Sequence, residues 1–258
     1  MKIDVDAARE LVEAVGGRGT ERWLHAQGSA EAARRVTACV DPADHDLLVA
    51  SAWLHDIGFD VPDKPTGFHP LDGAYFLRDA GWPERLVALV AHHSEARFGA
   101  AGMGLLDTLM EFEREQGPVA DALVYADMSS STDGQPVTVN LRLADLRHRH
   151  ADEPLPMRVA QSSREPHLVL ATARTEVRMI NSGATSSLIL PVAADYHAQT
   201  GQLEVLQSRH PHRDALDVEA ALHTSASLAF RSHALDVEEQ LEQADALLTS
   251  TDETVESA

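Results

Sequence analysis

Three stretches of this chain are apolar on nearly every side, and each runs straight into residues that bind metals. They are LLVASAWL (47–54), RLVALVA (85–91) and ALVYA (122–126), followed by His55-Asp56, His92-His93 and Asp127. A helix apolar all round belongs in the middle of a helical domain, not on its surface. An unpaired carboxylate at such a buried end costs roughly several kcal/mol or is forced to hold a proton. One cation on which the ends converge relieves all three together. His25 adds a fourth point, because on its helix it shares a face with Ser29, Ala32 and Val36, at steps of four, three and four. His69 directly precedes Pro70, at the expected start of another helix, and can look into the same centre. A single inward histidine is usually a hydrogen-bonded core residue. The combination His25, His55, Asp56, His69, His92, His93 and Asp127 within one apolar core is better explained by a metal than by packing.

The rest of the N-terminal part fits that setting. Hydrophobic residues make up 44% of the chain and aromatics only 5%, so the core is mostly Ala, Leu and Val, a mix that favours helices. Periodicity predicts helices over 4–14, 20–39, 43–56, 70–80, 84–93, 104–115, 118–128, 137–149 and 157–180. Gly16-Gly17, Asp41-Pro42, Gly58, Gly81 with Pro83, Gly117-Pro118 and Asp133-Gly134 fall where helices should stop. Residues 1–180 are therefore expected to form an all-α domain. Beyond them the texture changes: SLILPV (187–192) and QLEVLQS (202–208) read as short strands, and a long helix is expected from about residue 215 to 248. The expected fold class is mainly α, followed by a small α+β segment over 181–248 and a disordered tail over 249–258.

Charge and cysteine usage exclude several function classes. A formal net charge of −20 argues against a nucleic-acid polymer as partner, since phosphate backbones need basic patches. A small phosphorylated substrate stays open if a metal supplies the positive charge. Cys39 is the only cysteine, which rules out an intrachain disulfide or a cysteine-rich zinc site and suits a reducing compartment. No run of eighteen apolar residues occurs, and the start MKIDVDAARE is too charged for a signal peptide, so a soluble cytoplasmic protein without membrane contact is expected.

HAQGSAEAARRV (His25), WLHDIGFD (His55, Asp56) and ALVYADM (Asp127) together resemble the HD superfamily, whose pattern is an early His, a His-Asp pair and a distant Asp. GFHPLDGAYFL and ALVAHHSEAR are similar to the histidine-bearing segments of its HD-GYP branch. The likeness covers about residues 20–150 and extends plausibly to 180. It implies a helical bundle with His25, His55, Asp56 and Asp127 on a first metal ion, and Asp56 bridging to a second held by His69 and one or both of His92 and His93. Neighbouring helical residues point about 100° apart, so His92 and His93 should not serve one ion equally; which of them ligates stays open. Two departures weigh against cyclic-dinucleotide hydrolysis. FGAAGMG follows HHSEAR in place of a Gly-Tyr-Pro motif, and Phe59 replaces the lysine that follows HDIG, with Lys64 nearby.

The resemblance implies metal-dependent phosphohydrolysis of a small phosphorylated molecule, a nucleotide among the options, with His69, His92 and His93 as catalytic candidates. One or two divalent ions are expected: manganese, iron, cobalt, zinc or magnesium suit a His/Asp site without thiolates. Such an ion activates a bound water, while His92 or His93 stabilises the transition state or protonates the leaving oxygen. Lys64 and Arg97 flank the expected mouth. A di-iron oxygenase of the same superfamily and a non-catalytic nucleotide- or metal-binding signalling protein are the alternatives. The second draws on residues 181–248, which resemble the last two strands and closing helix of a GAF domain. Phe230, Ala234, Val237, Leu241, Ala244 and Leu248 repeat at steps of four and three, which fits either a homodimer seam or a helix lying on its own strands. His148 and His150 suit a helix end. They and the remaining histidines (45, 167, 197, 210, 212, 223 and 233) read as surface or capping residues.

Overall fold

The structure is a computed structural model. It describes residues 3–183, which lie within the first of two units into which the chain divides, Met1–Val192 and Ala193–Ala258. The expected strands, the long helix with its apolar seam and the tail fall outside the described residues.

Among the described residues the chain is helical, with no sheet and a single isolated bridge between Ser130 and Pro136. Helix α1 (Val5–Gly16) begins where the Asp4 carboxylate accepts from the amides of Asp6 and Ala7, and α2 (Glu21–Arg35) where the Thr20 hydroxyl accepts from Trp23. Then come α3 (His45–Leu54), α4 (His69–Asp79) and α5 (Glu84–His92). Helices α6 (Ala96–Met103) and α7 (Leu106–Leu109) follow. Helix α8 (Pro118–Met128) opens on a proline, which needs no amide partner there, and α9 (Val139–Arg149) is capped by Thr138. The long α10 (Leu155–Asn181) closes the described part.

The three apolar stretches become α3, α5 and α8, and they form the centre. Every residue from Leu47 to Leu54 is buried, as are Leu86 to Ala91 and Ala122 to Ala126. Helix α3 packs against α1, α2, α5 and α8; α4 covers α5, and α10 covers α8 and α6. Because these helices are buried lengthwise, their C-terminal ends open inside the domain.

One expected helix is placed differently. Instead of a single helix over 104–115, the chain forms α6 earlier, over FGAAGMG, and then only the one-turn α7. Gly104 takes a left-handed conformation with φ 72° and ends α6. Gly99 and Gly102 of FGAAGMG are packing residues: a Cβ at Gly99 would lie 3.0 Å from the Phe68 ring, and one at Gly102 would lie 3.1 Å from Met157 Sδ. Helix α6 is thus pressed against Phe68 at Gly99 and against the start of α10 at Gly102, and the missing side chains permit both approaches.

Candidate metal centre

Six of the seven side chains singled out in the sequence meet in one place. His25 comes from the middle of α2, His55 and Asp56 from the turn that ends α3, and His69 is the first residue of α4. His93 follows α5 directly, and Asp127 sits in the last turn of α8. Gly58 of the HDIG tetrapeptide makes this closure possible, because a Cβ there would overlap the His69 carbonyl oxygen and the Gly73 amide nitrogen. The start of α4 therefore rests on the backbone of the HDIG turn. Asp72 fastens the incoming loop, accepting from the Thr66 hydroxyl at 2.7 Å and the Thr66 amide at 2.9 Å.

Asp56 is the pivot. Its Oδ2 lies 3.9 Å from His25 Nε2 and 3.7 Å from His55 Nε2, and its Oδ1 lies 3.3 Å from His69 Nε2 and 3.5 Å from His93 Nε2. Asp127 Oδ1 stands 3.1 Å from His25 Nε2 and 3.8 Å from His55 Nε2. Two groups result, His25–His55–Asp56 and Asp56–His69–His93, each with ligating atoms within 4.8 Å of one another.

Three of the histidines are oriented alike. The Nδ1–H groups of His25, His55 and His93 donate to the carbonyls of Ser131 (3.0 Å), Ala52 (2.8 Å) and Val90 (2.6 Å). A carbonyl only accepts, so each ring carries its proton on Nδ1 and turns the Nε2 lone pair toward the centre, as metal-ligating histidines do. His55 is 1% exposed, and its Nε2 has no hydrogen-bond partner among the described residues. A lone pair aimed at neighbouring carboxylates and imidazoles calls for a cation, and the donor set fits one.

The electrostatics agree. Burial pushes His55 below its ordinary value despite the nearby aspartates, and burial brings His69 down to about 4. Both imidazoles are thus neutral and able to ligate near pH 7. For His93 burial acts in the same direction, but the Asp56 carboxylate, the Val90 carbonyl and Asp127 together outweigh it and the value rises. Burial alone would raise both carboxyls; His55, His69 and His93 hold Asp56 well below the usual carboxylate range, and His25, His55 and Arg142 do the same for Asp127.

His92 is the side chain that does not join the others. It is the last residue of α5; the next residue, His93, leaves the helix with ψ 150° and turns inward. The His92 ring lies against a different carbonyl, with Nε2 2.9 Å from the oxygen of Phe112. Lys64 and Arg97 stand elsewhere as well: Lys64 donates to the Phe59 carbonyl, and Arg97 pairs with Glu95 at 2.7 Å.

Three arginines that the sequence reading passed over take the expected place of those two cations. Arg142, on α9, is 6% exposed and brings Nη2 to 3.5 Å from Asp127 Oδ1 and 3.4 Å from His25 Nε2. Its Nε is buried with no hydrogen-bond partner among the described residues. Arg22, one turn before His25 on α2, lies 3.6 Å from Asp56 Oδ2 with its guanidinium 3.4 Å above the Phe59 ring. Arg164, on α10, lines the same cavity, and burial lowers its pKa. Together with His25, Asp56, His69, His93 and Asp127 they line a cavity of about 460 Å³. Arg22 carried a readable signal, its (i, i+3) spacing from His25; Arg142 and Arg164 reach the site only through packing. His150, read as a helix-end residue, also lines this cavity and pairs with Glu153 at 2.8 Å.

Residues 22–135 match the family model described as HD domain, and this stretch of the chain is an HD domain. The matched stretch contains all six clustered side chains and ends before Arg142 and Arg164. HD domains are in general metal-dependent phosphohydrolases. No curated protein and no solved structure matches the chain. No helix among the described residues is long and apolar enough to cross a membrane.

Proposed function

We propose that the chain is a metal-dependent phosphohydrolase that acts on a small phosphorylated molecule, a nucleotide being one candidate. The observation that carries this reading is a single cavity lined by five of the six clustered side chains, His25, Asp56, His69, His93 and Asp127, together with Arg22, Arg142 and Arg164, with His55 buried behind them. His25, His55, Asp56 and Asp127 would hold one divalent ion, and Asp56, His69 and His93 a second. Such ions polarise phosphoryl oxygens and bring the pKa of a bound water near neutrality.

The chain's own residues supply the rest. Arg142 and Arg164 present guanidinium N–H groups to phosphate oxygens, a geometry that suits planar, bidentate contacts. In a chain of net charge −20 these arginines gather positive charge where a phosphate needs it. Arg22 is held flat on Phe59, and the His69 ring stacks on Phe59 at 3.8 Å, so one aromatic ring orients both. His92 takes no part in this reading, since its ring is held against Phe112.

The test is to measure metal content by elemental analysis and phosphate release from a panel of nucleotides, with and without added manganese. His55→Ala and Asp56→Ala should each lose metal and activity together while remaining folded. Unchanged turnover in both variants, in protein that carries no metal, would overturn the proposal.

A further inference from the structure

The cavity over the metal centre has two unlike sides. Its cations come from Arg22 on α2, Arg142 on α9 and Arg164 on α10. Another stretch of its wall is apolar and continuous. It starts at His69, whose ring lies 5.9 Å from that of Phe68. Phe68 is buried and packs over Gly99 of α6, where a Cβ would come 3.0 Å from its ring. Helix α6 gives the cavity only Ala96, Gly99 and Met103. Gly102, next to Met103, then meets α10: a Cβ there would lie 3.1 Å from Met157 Sδ and 3.4 Å from the Ala160 Cβ.

Met157, Ala160 and Gln161 share the face of α10 that lines the cavity, and the first charge on that face is Arg164, seven residues past Met157. Seven residues of α-helix span about 10 Å, a separation that a phosphate ester with a ring on a short spacer can bridge. The charged groups near the start of α10 are engaged with one another: His150 pairs with Glu153 at 2.8 Å, and Arg149 with Asp145 at 2.8 Å. Phe68 and the two methionines offer a ligand apolar surface and sulfur. Thioether side chains adapt their shape and make favourable contacts with aromatic rings. The hydroxyls of a sugar laid on this wall would lose water without gaining partners there, whereas an aromatic face has none to lose.

Resting on the phosphohydrolase reading above, we propose that the substrate is a phosphate monoester whose body is an uncharged aromatic ring, and that Met103 and Met157 select it by contact with the face of that ring. The phosphate lies at the metals and arginines, and the ring lies along Phe68 and α6. Recognition by the face tolerates any substituent that leaves the ring flat and uncharged.

The full chain, loaded with manganese, is titrated calorimetrically with 3-phenylpropylphosphonate and, separately, with propylphosphonate. Both carry a phosphorus–carbon bond that ester hydrolysis does not cleave, and they differ only in the ring. The ring should tighten binding about tenfold or more, since a single methylene in a hydrophobic pocket is already worth about that much. Met103→Gln and Met157→Gln keep the length of the side chain but make it polar, and each should cut the preference about threefold or more. Met103→Leu, which stays apolar, should retain it. Met103 is 41% exposed, so its replacement should leave the fold intact, which a thermal melt checks. Equal binding of the two phosphonates, or a ring preference untouched in both glutamine variants, would overturn the inference and leave the hydrolase standing. No binding of either probe would overturn both. A ring preference that the glutamine variants diminish, in protein that releases phosphate from no ester, would uphold the ring site and sink the hydrolase.

Discussion

Asp56 faces four imidazoles from a position 16% exposed, which makes it the most consequential single side chain of the site. Changing a residue that merely orients a ligand typically costs 10- to 100-fold in metal affinity or activity. Asp56→Asn removes a ligand shared by both groups, so a loss of more than about hundredfold is expected in manganese affinity, read by competition with a metal-binding dye. A loss under tenfold would mean that the two groups do not share this carboxylate. His69 gives a second handle. Its folded value of about 4 lies below the ordinary 6.5, so between those values the unfolded chain binds the extra proton and the folded protein does not. Stability is then present above about 6.5 and is lost as the pH falls toward 4. His55 acts in the same direction. His93, with a raised value, acts in a different window: its contribution is fully present below 6.5 and is lost as the pH rises above it. The metal-free protein should therefore melt at progressively lower temperature on acidification through this window, and His69→Gln should flatten the dependence. A melting temperature that stays flat or rises on acidification from about 6.5 toward 4 would show that His69 and His55 are not held neutral by burial.

The helix ends, more than the helices, decide where the chemistry sits. Gly58 is the test case, because the His69 carbonyl and Gly73 amide occupy the space of any side chain there. Gly58→Ala must push α4 away from the HDIG turn. Overpacking of this kind costs about 1–3 kcal/mol or more, and it should also weaken metal binding by displacing His69. Urea unfolding and a manganese titration of the same variant check both; a stable variant with wild-type affinity would show that α4 can shift without carrying His69 out of place. The element scale is also where the sequence was most and least readable. The buried stretches and the inward face of His25 follow from hydrophobic periodicity alone, and His25, Ser29, Ala32 and Val36 are all buried. The choice between His92 and His93 was not readable, since a spacing of one residue says only that the two diverge. It is made by the break after α5, where Ser94 and Glu95 both adopt positive φ, at 46° and 57°. That turn lets the Ser94 hydroxyl donate to Asp127 while Glu95 reaches Arg97 and Arg114. Arg142 and Arg164 were hidden for a related reason. They lie on helices whose exposed faces dominate their pattern, and only the packing of α9 and α10 brings them over the site.

At the scale of the molecule, the described domain has a conflict built into its core: His25, His55 and His93 and two aspartates are held among apolar helices with one imidazole nitrogen left without a partner. Such groups are tolerated when a cation completes them, and the domain's stability should depend on that cation more than its helical packing suggests. Mass action sets the size of the effect. An ion that binds only the folded state at about 100 times its dissociation constant adds roughly 2.7 kcal/mol. For a domain of this size each kcal/mol moves the melting temperature by roughly 2–4 °C, so chelation should lower it by about 5–10 °C. The fall should be reversed by manganese and should be absent in His55→Ala, whose starting melting temperature is already that of the chelated protein or lower. Differential scanning calorimetry with and without chelator measures this directly. A wild-type domain indifferent to chelation, and fully metallated beforehand by elemental analysis, would mean that the apolar helices hold this cluster in place by packing alone, with the ion bound as a passenger.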